Sequence, residues 1–312
     1  MNQLIKAETT LRLGDGDSLI NAFLSSQDVK PSSKKTYRKA LKRFLAWVTK
    51  GNISTPVRED ILAYKDSLKA EGLSPFTVSS YLVAVRKLYE WAESKQFYPN
   101  IAKSIKGIKK PKGFRKDALT PTQIKSLLSD IDRSTLSGKR DFALLNLLIR
   151  TGLRTIEVER ANIEDIRQEG GEALLWIQGK GQDSKDDFVL LTDSTLRPIR
   201  EYLAERGQIE DTAPLFCSQS RRSMGTRLHV GSISRIVKTH LRGVGLDSGR
   251  LTAHSLRHTA ITLSLNAGAT IQEAQALGRH ANISTTMIYA QNIDRMKNAP
   301  ERKIDAYLDG FN

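Results

Sequence analysis

The 312-residue chain has a single cysteine, Cys217, which excludes a disulfide within it and fits a reducing, cytoplasmic location. No apolar run reaches the ~18–20 residues that a membrane span needs. The first residues, MNQLIKAETTLRLGDGD, lack the apolar stretch of a secretory signal, so neither export nor membrane insertion is expected. Aromatic residues are few, at 6%. Acidic residues are scarce in one region only: residues 1–116 hold 23 Lys and Arg against 10 Asp and Glu. Nearly all of the formal net charge of +15 sits in that first third. Such asymmetry points to a polyanion, with nucleic acid the first choice. Apolar residues make up 39%, enough for a core and too many for a disordered chain. At roughly 100–200 residues per domain, the length predicts two domains.

The domain boundary is expected in a basic linker over residues 101–118. Seven basic residues and no acid lie between Lys103 and Lys116, with Gly107, Pro111 and Gly113 discouraging regular structure. An N-terminal tail (1–16) and a helical domain (17–100) precede it. A larger domain (119–292) and a C-terminal tail (293–312) follow. Four helices are predicted in the first domain, the fourth announced by Ser74 as N-cap and Pro75 as the first helical residue. Lys34, Lys35, Arg38 and Lys42 share the polar face of the second helix, and Thr77, Ser79, Ser80 and Arg86 that of the fourth. With Lys109, Lys110, Lys112 and Arg115 of the linker, they are the candidate DNA contacts. The second domain reads as mostly helical with a small sheet. Its first helix is signalled by Thr120, Pro121 and Gln123, a capping box with proline at the start. Two strands are predicted, 173–177 and 188–191, around the turn GKGQDSKDD.

Gly179-Lys180-Gly181 lacks the longer frame of a phosphate loop. His254 and His258 lie four apart on a helix, but without the glutamate of a zinc-protease helix and beside Arg257, so no metal is expected. What remains is a scattered set of cations, histidines and one tyrosine. These are Arg154 in TGLRTIEV, Lys180 after the first strand, His254 and Arg257 in HSLRHT, His280 in LGRH and Tyr289 in STTMIYA. Arg257 and His280 are 23 residues apart, and His280 and Tyr289 are 9 apart.

In this order and at these spacings the set closely resembles the tyrosine recombinase (phage integrase) family, in particular its compact Xer-like members. The likeness runs from about Ser18 to Leu308. It implies a fold that is mainly α with a small β-sheet, in which a four-helix, SAM-like core-binding domain precedes a mixed α/β catalytic domain. It also implies that Arg154, Lys180, His254, Arg257 and His280 serve Tyr289 as nucleophile, with Glu157 orienting the site. Two features depart from the family pattern. The hairpin turn is long and acidic, which leaves Lys185 as a rival to Lys180. An arginine, Arg279, is inserted between the usual glycine and histidine.

The resemblance implies cleavage through a 3′-phosphotyrosyl intermediate with a free 5′-hydroxyl, without metal, ATP or other cofactor. The implied partners are double-stranded DNA with short inverted-repeat core sites, three further copies in a tetramer, and accessory DNA-bending proteins. Integration or excision of a mobile element is the expected role, with Xer-type dimer resolution as the alternative. A type IB topoisomerase-like enzyme and a non-catalytic DNA-binding protein also stay open. In the tail, Ile304, Ala306, Tyr307 and Leu308 need an apolar surface, either on their own domain or, as the resemblance implies, on a neighbouring subunit.

Overall fold

Proline and hydroxyl side chains set where the helices begin. In the computed structural model, which describes residues 16–109, 116–179 and 181–310, the chain divides into two units, Met1–Lys112 and Gly113–Asn312. The first unit is built from α1 (Gly16–Ser26), α2 (Pro31–Lys50), α3 (Arg58–Ala70) and α4 (Pro75–Ser94). Ser74 Oγ accepts the Thr77 amide at 3.2 Å, satisfying one free donor at the start of α4. Phe23, Leu41, Phe44, Tyr64, Leu68 and Leu82 are buried at the centre, each of the apolar ones contributing about 1.5–3 kcal/mol. The Phe44 and Tyr64 rings meet edge to face with centroids 5.1 Å apart.

The predicted linker is not extended throughout. Up to Lys109 it lies on the helices of the first unit, with Ala102 and Ile105 buried. Arg58 Nη1 donates to the Lys103 carbonyl at 2.6 Å and Arg86 Nη1 to that of Ile105 at 3.3 Å. These apolar anchors are spaced too irregularly to stand out among the lysines.

The second unit opens with α5 (Pro121–Ser129), α6 (Leu136–Thr151) and α7 (Thr155–Arg160). The capping box at α5 forms as expected, Gln123 N to Thr120 Oγ1 at 3.2 Å and Thr120 N to Gln123 Oε1 at 2.9 Å. After a 3-10 turn at Ile163–Asp165 comes an antiparallel sheet of β1 (Ile166–Glu169), β2 (Glu172–Ile177) and β3 (Asp187–Leu190), in that order. The helices α8 (Asp193–Arg206), α9 (Val230–Gly243), α10 (Ala253–Asn266), α11 (Ile271–Gly278), α12 (Ile283–Lys297) and α13 (Pro300–Asp309) complete it.

Helix α6 is the spine of this unit. Leu144, Leu145, Leu147 and Leu148 are all fully buried, and the helix packs against α8 and α10. Strand β1 was not among the two predicted, because Ile166-Arg-Gln-Glu169 carries one apolar residue and is exposed along most of its length. Helix α12 runs from Ile283 to Lys297 and is capped by Asn282, whose Oδ1 accepts the Ser284 amide at 2.8 Å. No residue of α13 is buried. Among the described residues no helix is long and apolar enough to cross a membrane.

Candidate active site

A cleft of about 1250 Å³ in the second unit is lined by Arg154, Glu157, His254, Arg257, Arg279, His280 and Tyr289, among others. It assembles around the end of α6. Gly152 caps that helix with φ +61°, a left-handed conformation that glycine adopts freely, and a Cβ there would meet Ala260 Cβ at 3.3 Å. The turn directs the Gly152 carbonyl inward, where Arg257 Nη1 donates to it at 2.6 Å and Arg279 Nη2 at 3.1 Å. Arg154 is the N-cap of α7. Its backbone amide donates to Glu157 Oε2 at 2.7 Å and its Nη1 to Glu157 Oε1 at 2.8 Å. Glu157 is fully buried, which cations on both its oxygens make tolerable: Arg279 Nη2 lies 3.0 Å from Oε2.

Helix α10 contributes His254, Arg257 and His258 from one face. Arg257 is 3% exposed and its Nη2 is buried with no partner among the described residues. Burial, then the neighbouring Arg154 and Arg279, hold its guanidinium below the usual arginine range. An unsatisfied buried cation of this kind costs free energy unless an anion arrives to pair with it.

His280 sits just beyond α11. Its Nδ1 is 2.9 Å from Thr286 Oγ1, which leaves Nε2 for another partner. Gly278 makes room for this, since a Cβ there would come within 2.9 Å of the imidazole. Tyr289 of α12 is 4% exposed. Its ring centroid lies 5.1 Å from that of His258 and 6.2 Å from that of His280, and the His254 and His258 rings are 4.9 Å apart. Burial pushes the Tyr289 phenol up to about 12, partly offset by Arg257. Desolvation, followed by the surrounding cations, holds His280 at about 4. For His258 desolvation, then His254 and Arg257, gives about 4 as well. His254 is lowered by desolvation first and then by Arg257, Arg154 and Lys116. His258 and His280 are therefore neutral at pH 7, and burial shifts His254 in the same direction.

Of the predicted set, Arg154, Glu157, His254, Arg257, His280 and Tyr289 thus share one cleft. Lys180 lies outside the described residues, though its neighbours Gly179 and Gly181 line the cleft. Lys185 bonds both oxygens of the buried Asp165, at 2.6 and 2.8 Å, and not the turn acids beside it in sequence. Two residues of the cleft carry weak sequence signals. His258 reads only as a zinc partner for His254, and Arg279 only as an insertion. Among the described residues no group of three or more His, Cys, Asp or Glu is placed to hold a metal.

The candidate DNA contacts of the first unit divide. Lys35, Arg38, Lys42 and Lys109 are exposed, and Lys34, Thr77 and Ser80 are half-buried. Lys42 pairs with Asp17 at 2.9 Å, and Arg38 donates to Asn21 Oδ1 at 2.7 Å. Ser79 does not face outward: its Oγ is buried against Gly107, with no partner among the described residues. Arg86 is spent on the Ile105 carbonyl. The returning chain covers this part of α4, which the helix pattern alone does not reveal. Lys110, Lys112 and Arg115 lie outside the described residues.

The fold and cleft thus define an arginine-lined site built around a buried tyrosine, suited to chemistry on a phosphate. Residues 117–296 match the model of the phage integrase family, and residues 20–96 that of the phage integrase N-terminal SAM-like domain. A tyrosine recombinase of Synechocystis sp. is 30% identical over 276 residues, 84% of this chain and 87% of that one. The tyrosine recombinase XerA of Pyrococcus furiosus is 29% identical over 296 residues, 95% of this chain and 96% of that one. Among solved structures, a pre-cleavage complex of the XerH site-specific recombinase with difH substrate has a TM-score of 0.67 at 25% identity, covering 86% of this chain and 78% of that one. The Tn1549 transposon integrase in complex with transposon right end DNA has the same TM-score at 18% identity, covering 87% of this chain and 93% of that one. The chain belongs to the phage integrase family of tyrosine recombinases, enzymes that cleave and rejoin DNA.

Proposed function

We propose that the protein recombines two DNA sites by conservative strand exchange, with Tyr289 as nucleophile, and that it integrates and excises a mobile element. The buried, unpartnered Nη2 of Arg257 beside Arg154 in the Tyr289 cleft carries the reading. Two guanidiniums can grip the non-bridging oxygens of a phosphodiester, whose charge grows in the pentavalent transition state. Tyr289 attacks phosphorus and passes its proton to His254, whose neutral form burial favours. The bond to the 5′-oxygen breaks, and Lys180 supplies the proton that makes it a leaving group. His280 donates from Nε2 to the phosphate. A 3′-phosphotyrosyl bond conserves the energy of the original linkage, and a 5′-hydroxyl from the second duplex reverses the step.

The exposed basic side chains of α2 and Lys109 hold the DNA backbone. Four copies act together on two inverted-repeat sites. Helix α13 supports this, since Ile304 and Leu308 are more than half exposed and bury nothing on their own domain. Xer-type dimer resolution is the second reading, favoured by the near full-length match to XerA. Supplying the DNA that flanks the gene, in excess chelator, tests both. Excision of a circle bounded by repeats supports the mobile-element reading. Resolution of a dimer at a single chromosomal site supports the Xer reading. Relaxation of any supercoiled plasmid without strand exchange refutes both and indicates a topoisomerase.

A further inference from the structure

We infer that Arg279 is a positioning residue, which holds the Arg154 guanidinium in place by sharing Glu157 with it. The inference rests on the reading of the cleft as a tyrosine recombinase site. Its first support is backbone geometry. Arg279 has φ 45° and ψ 50°, left-handed values that glycine adopts without strain and a long side chain rarely does. Such a conformation persists where surrounding contacts over-determine it, and here they do.

The side chain is 9% exposed. Nη1 donates to the Leu277 carbonyl at 3.0 Å, while Nη2 donates to the Gly152 carbonyl at 3.1 Å and to Glu157 Oε2 at 3.0 Å. The Arg279 carbonyl in turn accepts from Arg154 Nη2 at 3.2 Å. Arg279 therefore meets Arg154 twice, directly through its carbonyl and indirectly through Glu157. It also shares the Gly152 carbonyl with Arg257 and is followed by His280 in the chain. One residue thus ties together the three segments that carry the phosphate-binding groups.

Glu157 explains the need. Its two oxygens are divided, Oε1 to the Arg154 side chain and Oε2 to Arg279 and the Arg154 amide. Without Arg279, the full carboxylate charge falls on Arg154, the other cation bonded to it. A bidentate pair would then form and withdraw N–H donors from the phosphate. Arg279 balances Glu157 so that Arg154 stays divided between the protein and the DNA.

The test is single-turnover cleavage of a nicked suicide duplex by the full chain, measured at saturating protein alongside DNA affinity and thermal unfolding. Arg279→Gly relaxes the backbone and is expected to slow cleavage by about 10- to 100-fold, the scale of a ~1 Å misplacement, with affinity nearly unchanged. In a Glu157→Gln background the same change is expected to cost less than about threefold, because the two side chains act through one another. Arg279→Lys keeps a cation beside Glu157, so it is expected to recover most of the rate that the glycine variant loses. Arg279→Asn, which tolerates the left-handed backbone and carries no charge, serves in the same cycle if Arg279→Gly does not fold. An equal loss in both backgrounds, or an undiminished rate in Arg279→Gly, overturns the inference. Tyr289→Phe is run beside them: adduct formation by that variant would instead sink the reading of the cleft itself.

Discussion

Replacing Arg257 with lysine separates catalysis from folding. The guanidinium spends Nη1 on the Gly152 carbonyl at 2.6 Å and keeps Nη2 buried and unpartnered. Lysine retains the charge but cannot serve both directions at once. The Gly152 carbonyl would keep its bond from Arg279 Nη2 at 3.1 Å, so no buried acceptor is stranded. The expected stability change is therefore within about 1 kcal/mol, a shift of ~2–4 °C in Tm for a unit of this size. Loss of one preorganised donor to the transition state costs about 10²–10³ in rate, or about 3–4 kcal/mol. Single-turnover cleavage of a suicide duplex measures the second quantity and calorimetry the first. A cleavage rate within about threefold of the parent, in a folded protein, would refute the assignment of Arg257 to the phosphate.

Acid should weaken the fold through the imidazoles of the cleft. His258 and His280 are held at about 4, below the ordinary histidine value, so the unfolded chain takes up protons first as pH falls. Their contribution is intact above about 6.5 and declines from there to about 4, by on the order of 3 kcal/mol for His258. Equal urea midpoints at pH 7 and pH 5 would contradict this. For the leaving-group proton, a 5′-thio substrate is expected to rescue Lys180→Ala. It should not rescue Lys185→Ala, which leaves Asp165 buried without its cation and shows itself as lost stability. The opposite pattern reassigns the acid. Deleting residues 300–312 is expected to preserve binding to one site and impair assembly of the synapse, and recombination at the full rate would rule out docking of α13 on a neighbour.

Much of the site is legible in the chain because it depends on residue type at fixed short spacings. Pro75, Thr120 and Gln123 act within one helical turn, and their caps form as the sequence indicates. Arg154, Arg257 and Tyr289 are recognisable as a set, yet Arg257 is held by the Gly152 backbone carbonyl, which it shares with Arg279 and which no side-chain pattern records. Strand β1 is held by pairing with β2 and not by its own apolar content. The partner of Lys185 lies 20 residues away on another element, so the acids beside it in the turn mislead. Ser79 and Arg86 look like a solvent face until the chain after α4 folds over them. Arg279 reads as a flaw in a motif, and its meaning rests on a positive φ and on contacts reaching back to residue 152.

The central claim is that the Tyr289 oxygen becomes bonded to DNA. Incubation with a nicked suicide duplex in excess chelator, followed by digestion and mass spectrometry, locates the attached nucleotide. The account predicts a 3′-phosphate ester on the peptide containing Tyr289, and no adduct from Tyr289→Phe. An adduct on another residue, or one formed equally by the phenylalanine variant, would contradict it.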